Sequence, residues 1–389
     1  MKKIYTIIFF VAVSSVTKAQ WVTTSGPSEP YTVALAANDN VVMAGCSSAS
    51  SNQGGHRTLD EGTSWLSTGF SLLSKFNSLA INPSTGTIYA GGLACFYQSF
   101  DNGANFTNTN TGLSSYTTRD IVVDGTNLYA SDFGIYLSTN GGFNWSLISP
   151  TINSTKMDKI GNTILVGTMT AGVYLSVDNG SNWTNPTTGL PTNITDVKII
   201  GTNFLVTTAS GIYISTNSGT TWTMTNLSLP TECIYQVGSI LFAGCSGGGG
   251  VYYSNDGGNT WIASNAGLSN TTVYALTSNS NYLFAGTTGY TFRRPLSDYG
   301  ILTSITNEHN TNSDITIAPN PTTGILTITQ PISQKSDIEI YNQLGKLIDT
   351  KITTGKTTTI DLSNLKKGIY FVRMTDLNKT VVNKKIVIQ

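Results

Sequence analysis

Hydrophobic and polar positions along the chain come in short bursts. Runs such as Thr163-Ile164-Leu165-Val166-Gly167 and Gly172-Val173-Tyr174-Leu175-Ser176 end at Gly, Asn or Ser, and long 3.6-residue patterns are absent. This texture predicts short strands and an all-β chain. The bursts repeat. The stretch Ser254-Asn255-Asp256-Gly257-Gly258-Asn259-Thr260-Trp261 has the form Ser-x-Asp-x-Gly-x-x-Trp, and five earlier copies begin at Thr58, Ser99, Ser138, Ser176 and Ser215. From acid to acid (Asp60, Asp101, Asn140, Asp178, Asn217, Asp256) the steps are 41, 39, 38, 39 and 39 residues. The phrase Leu/Val-x-Ala/Val-Gly recurs between them, as in Val42-Met43-Ala44-Gly45 and Phe242-Ala243-Gly244. Four short strands in such a period make one blade of a β-propeller.

The octet has a physical reading. Asp or Asn at its third position closes an Asx-type turn, and the Gly two residues later supplies the positive φ of a tight hairpin. Asp and Asn interchange there, as suits a hydrogen-bonding role and not a catalytic carboxylate. Cut at the motif aromatic, the chain yields seven units, starting at Trp21, Trp65, Phe106, Trp145, Trp183, Trp222 and Trp261. The last lacks an octet and Trp21 has none before it. Trp21-Val22-Thr23-Thr24 is therefore expected to supply the outer strand of the last blade, closing a seven-bladed ring.

In an antiparallel meander the octet hairpins share a face with the turns between first and second strands. The other face carries the irregular loops, including the insert from Cys46 to His56 and Gly247-Gly248-Gly249-Gly250, and variable loops on a rigid scaffold are where binding lives. Tyr31, Phe76, Tyr116, Arg119 and Tyr274 fall at or near the entry to inner strands on that face and are the candidate binding residues; the alternative is that most of them pack between blades. Asp120, Asp158 and Asp196, spaced 38 and 38, are expected on consecutive inner strands. They could act as an acid–base pair in glycoside cleavage or hold a cation. The structural alternative is that each bonds the backbone of the next blade.

The octet resembles the Asp box of sialidases, xyloglucanase-type glycosidases, sortilin-like receptors and photosystem assembly factors, over about residues 21–300. That resemblance implies a propeller with the boxes on outer hairpins away from the ligand; fold alone does not fix activity. A sialidase would need an arginine trio and a Tyr–Glu pair. The propeller offers Arg57, Arg119, Arg293 and Arg294, and its Glu are Glu29, Glu61 and Glu232. Xyloglucanase-type enzymes use two propellers and this chain has one.

Lys2 and Lys3 before an apolar run from Ile4 to Val13 predict an export signal over residues 1–19, and no other stretch is apolar enough to span a membrane as a helix. Residues 20–300 hold eight Lys and Arg against fourteen Asp and Glu, which argues against a nucleic-acid face. His56 and His309 are the two histidines, so neither a His-based triad nor a His-rich metal site is expected, and no cofactor is called for. Four cysteines in an exported chain allow two disulfides, with Cys233 and Cys245 flanking one hairpin and Cys46 and Cys95 in adjacent repeats; buried free thiols are the alternative.

A polar linker, 305–314, separates the propeller (20–304) from residues 315–389, whose period-two runs predict a small β-sandwich. Pro319-Asn320-Pro321 with Gly324, Ile340-Tyr341-Asn342 with Gly345, and Asp361-Leu362-Ser363 with Gly368 and Tyr370 resemble the type A C-terminal sorting domain of the type IX secretion system. The resemblance implies the type IX machinery as a partner and a secreted or outer-membrane-surface location in a Gram-negative bacterium. The sequence thus reads as an exported propeller acting as a non-catalytic module that binds a glycan or a surface protein. A glycoside hydrolase and a scaffold for surface proteins are the alternatives.

Overall fold

The structure is a computed structural model. It describes residues 20–27, 31–47, 54–68, 76–92, 95–113, 117–131, 133–149, 152–301, 316–330, 335–342, 347–376 and 381–389. The expected export signal lies outside them. The chain divides into two compact units, Met1–Ile301 and Leu302–Gln389.

The first unit is a seven-bladed propeller. Six blades are four-stranded antiparallel meanders: 31–67, 76–108, 120–147, 196–224, 231–263, and 273–295 with Val22–Thr23. In the fourth blade, 154–184, the outer position is a single bridge between Leu175 and Thr184. Each inner strand packs on the next, and Val273–Ser278 of blade 7 returns to Tyr31–Ala37 of blade 1. Val22 and Thr23 pair with Arg293 and Phe292, so the N-terminal strand closes the ring as the missing octet predicts. Trp21 is buried beside them and donates Nε1–H to the Ser264 carbonyl at 2.6 Å. Side chains from neighbouring sheets interleave to form the core, for example Phe204, Val197 and Trp222 with Leu165 and Ile194.

The recurring Ala/Val-Gly phrase has a packing cause. A Cβ on Gly45, Gly91, Gly167, Gly244 or Gly286 would stand within 3.0 Å of Phe76, Thr118, Ile194, Val273 or Thr32 respectively. Each glycine therefore lets the inner strand of the following blade approach the second strand of its own.

Every octet closes in the same way. In blade 1 the Thr58 hydroxyl accepts the Gly62 N–H at 2.8 Å and donates to Asp60 Oδ1 at 2.7 Å. Asp60 Oδ1 also accepts the Ser64 N–H at 2.8 Å. Asn140 and Asn217 make the same third contact, to the N–H groups of Asn144 and Thr221, both at 2.9 Å. An amide oxygen therefore serves as well as a carboxylate. Gly62 (φ 91°) follows Glu61 (φ 57°), two consecutive left-handed residues inside the loop that joins the paired Arg57 and Leu66, so the octet is a longer bonded loop and not the tight hairpin the sequence suggests.

The second unit is a sandwich. One sheet holds Thr316–Ala318, Ile325–Thr329 and Thr357–Asp361; the other is ordered Leu347–Thr353, Ser336–Asn342, Gly368–Asp376, Val381–Ile388. Leu326, Ile328 and Ile360 of the first sheet bury against Ile338, Ile340, Val372 and Ile386 of the second.

Two alternatives left open by the sequence resolve here. Cys233 and Cys245 are free thiols and form no disulfide. A bulge between Thr231 and Cys233 shifts the register, so Cys233 faces Gly244 while Cys245 faces Thr231. Cys46 is buried on the second strand of blade 1, and the side chain of Cys95 lies outside the described residues. Phe76 is not at the surface: it is fully buried between blades 1 and 2, 5.6 Å from the Phe106 ring. Its place is explained by Gly45 and Gly55, whose missing Cβ atoms leave room for it.

Candidate functional site

The inner strands surround a cavity of about 210 Å³ with lining residues from all seven blades. Its composition follows from a backbone irregularity. The inner strands of blades 1, 2, 4, 6 and 7 each carry a register shift near their first residues. An extra residue at a bulge re-aims its side chain. In blades 1, 4, 6 and 7 the bulge contains Val33, Lys156, Glu232 and Tyr274, all of which line the cavity, as do Asp120 and Asp196 in blades 3 and 5. One half of the mouth is therefore charged (Asp120, Lys156, Asp196, Glu232). The other half, in blades 7 and 1, is aromatic and apolar.

The three acids do not converge on a common point; each reaches sideways to the next blade. Asp120 accepts the Met157 N–H and the Lys156 ammonium, both at 2.9 Å. Asp158 accepts the Ile199 N–H at 2.8 Å and pairs with Lys198 at 3.0 Å. Asp196 accepts the N–H groups of Val197 and Ile234, both at 2.8 Å. Nor are their positions equivalent. Asp120 and Asp196 stand four residues before the ends of their strands, at Asp124 and Ile200, whereas Asp158 stands two before Ile160. The equal sequence spacing hides blades of unequal length, and Asp158 sits one layer deeper, beside Lys198.

Charge follows this geometry. Burial pushes the Asp196 carboxyl up to about 7, against the pull of Lys156 and the Ile234 N–H. Lys156 loses solvation by burial, yet Asp120 and Asp196 more than offset that and hold its ammonium above the ordinary lysine value. Burial also drives the Cys233 thiol well up, so it is not a ready nucleophile. Among the described residues no group of three or more His, Cys, Asp or Glu is arranged to hold a metal ion, and no helix is long and apolar enough to cross a membrane.

Around the mouth stand exposed aromatic groups. Tyr31, 41 % exposed, meets Tyr274 edge-to-face at 5.9 Å. Tyr31 also bridges to Thr288, in the loop that carries exposed Tyr290. Arg119 lies over the Phe133 ring at 5.5 Å and donates from Nη1 to the Ser154 carbonyl (3.3 Å) and to Met169 Sδ (2.9 Å). Phe133 and Met169 are exposed. The structure thus joins Tyr31 with Tyr274 and places Arg119 in a second group at blades 3 and 4. Tyr116 and residues 48–53 of the blade 1 insert lie outside the described residues.

Lys156, Glu232, Phe133, Met169 and Tyr290 were not legible as site residues. A bulge leaves no mark in an alternation pattern. The other three sit in loops between second and third strands; Phe133 and Tyr290 are apolar residues beside Gly134 and Gly289, which was the available signal, and Met169 has no such neighbour.

Residues 316–389 match the family of secretion-system C-terminal sorting domains. No curated protein sequence matches the chain significantly. Among solved structures the chain is similar to PorZ, a surface component of the type IX secretion system of Porphyromonas gingivalis, with 14 % identity and TM-score 0.54. That match covers 95 % of this chain and 60 % of PorZ, so the chain spans well under two thirds of PorZ. It is also similar to YCF48 from Cyanidioschyzon merolae (16 % identity, TM-score 0.55, 71 % of this chain and 98 % of that one). A third is the GH74 xyloglucanase of Xanthomonas campestris (14 %, TM-score 0.56, 80 % and 59 %). At these identities the likeness concerns the fold. Fold and sorting domain together define an exported Asp-box β-propeller. It is cargo of the type IX system, secreted or held at the outer-membrane surface of a Gram-negative bacterium.

Proposed function

We propose that the propeller is a non-catalytic binding module that takes a glycan or a segment of a surface protein at the irregular mouth of its channel. The observation that carries this reading is the division of labour among the mouth residues. Asp120, Asp158 and Asp196 are engaged in holding blades 3 to 6 together, each through a backbone N–H of the following blade. Tyr31, Tyr290 and Phe133 keep exposed ring surface, Tyr31 while it meets Tyr274 and Phe133 while it lies under Arg119. Aromatic platforms beside fixed polar groups suit sugar rings and peptide side chains alike. A glycosidase would instead need two carboxylates free to face one bond.

A glycan array probed with the full chain, followed by mass spectrometry of every bound glycan, tests the reading. Binding with intact glycans supports it. A cleaved product, lost in Asp120→Asn or Asp196→Asn, overturns it in favour of the hydrolase. An array of surface-protein peptides, run in parallel, separates the two ligand classes.

A further inference from the structure

The opposite face carries a feature that neither the fold nor the channel requires. In the octets of blades 1, 2 and 4 the second position is Leu59, Phe100 and Val177, which are 53 %, 67 % and 65 % exposed. In blade 3 the sixth position is Phe143, 53 % exposed. Blades 5 and 6 hold Thr216, Thr220, Asn255 and Asn259 at these two positions. Their turns nevertheless close on the same bonds, with the Gly219 and Gly258 N–H groups donating to Ser215 and Ser254 at 2.8 and 2.9 Å. The turn thus has no need of an apolar side chain at either position. Four consecutive blades still hold one in water, on hairpins that are rigidly bonded.

The surroundings of these tips are acidic. Asp60, Asp101 and Asp178 belong to the same turns, and Asp39 and Asp124 stand on first-to-second-strand turns of this face. The shared face is evident in blade 4, where octet Asn179 bonds Asn162 of the neighbouring turn at 3.0 Å. Three cations reach these turns: Lys159 neutralises Asp124 at 2.7 Å, Arg57 Nη1 donates to the Asn102 carbonyl at 2.9 Å, and Arg293 Nη1 donates to the Glu61 carbonyl. With Glu61 of the blade 1 octet counted, the carboxylates still outnumber them. The octet carboxyls accept several N–H and O–H bonds, which keeps them ionised at neutral pH.

We propose that the Asp-box face of blades 1 to 4 docks a partner protein that presents apolar side chains among lysines or arginines. Charge complementarity selects this occupant: fixed carboxylates between the apolar tips repel an anionic lipid surface and attract a basic one. The site lies at the far end of the channel from the ligand mouth, so it works independently of it.

The test is fluorescence anisotropy with the full chain and a labelled amphipathic helical peptide of leucine and lysine, beside a leucine–glutamate counterpart. The lysine peptide is expected to bind, with affinity falling at least about tenfold in the Phe100→Ser/Phe143→Ser variant and again at high salt. Asn255→Ser serves as the control and leaves binding unchanged, and thermal melts confirm that both variants fold. Equal binding by the two proteins, or equal binding of the two peptides, overturns the proposal. So does flotation with anionic phospholipid vesicles that the double variant abolishes. Self-association in sedimentation velocity that the double variant abolishes would also overturn it, since the occupant would be a second copy.

Discussion

Asp60 ties its hairpin through both carboxylate oxygens. Its Oδ1 accepts from Thr58 and from the Ser64 N–H, and its Oδ2 from the Ser64 hydroxyl. Only the last bond needs the second carboxylate oxygen. Asp60→Asn is therefore expected to change stability little, whereas Asp60→Ala leaves the Ser64 N–H without its acceptor and costs about 1–2 kcal/mol in denaturant unfolding. The same bonds have a pH signature. The Ser64 side chain and N–H hold Asp60 down at about 2, and the Asn105 N–H and side chain do the same for Asp101. Their contribution is present above the ordinary carboxylate value and is lost as pH falls through about 2. An Asp60→Asn/Asp101→Asn variant should lose less stability than wild type between about pH 4 and 2. The Asp/Asn interchange made this role legible. Phe76 takes the alternative role, packing between blades, and its burial depends on two glycines in the preceding blade, which sequence neighbours do not reveal.

Between elements, the ring is held at the seams where one blade meets the next. The closing strand was legible from a missing octet, and Trp21 fixes it. Trp21→Ala should cost about 3–5 kcal/mol and lower the melting temperature of the propeller, since it removes a buried indole and its bond to Ser264. The straps at the inner strands were legible only as one of several roles for the acids, because equal spacing of Asp120, Asp158 and Asp196 concealed a shifted register. Of the three, Asp196 takes no lysine into an ion pair among those the described residues form. With its carboxyl raised to about 7, its contribution is fully present below the unfolded value near 4 and is lost as pH rises through about 7. Wild type should lose stability relative to Asp196→Asn as pH rises from about 4 to 7, measured as a difference in thermal unfolding. In the sandwich, Asn320 Oδ1 accepts the Val387 N–H at 2.9 Å and its Nδ2 donates to the Lys385 carbonyl at 2.7 Å. The Pro-Asn-Pro motif and the strand Val381–Ile388 are thus one device. Asn320→Ala should speed amide exchange along that strand ahead of the rest of the sandwich.

For the whole molecule, the repeat period and the sorting motifs carried most of what was legible: seven blades, a closed ring, a sandwich and an export route. The proposed binding surface was legible only in outline. It is assembled from side chains roughly one blade apart, turned inward or outward by bulges and loop glycines that leave no periodic trace. Tyr31 and Tyr274 lie at opposite ends of the propeller sequence and meet only because the ring closes. The measurement that tests the central claim most directly is isothermal titration of the full chain with a glycan or peptide drawn from the arrays. Wild type would be compared with Tyr31→Ala/Tyr274→Ala at the mouth and Phe100→Ser on the far face. At least a tenfold loss of affinity is expected in the tyrosine variant, from two removed aromatic contacts, and none in Phe100→Ser. Unchanged affinity in the tyrosine variant, in a protein that still melts as wild type does, would contradict it.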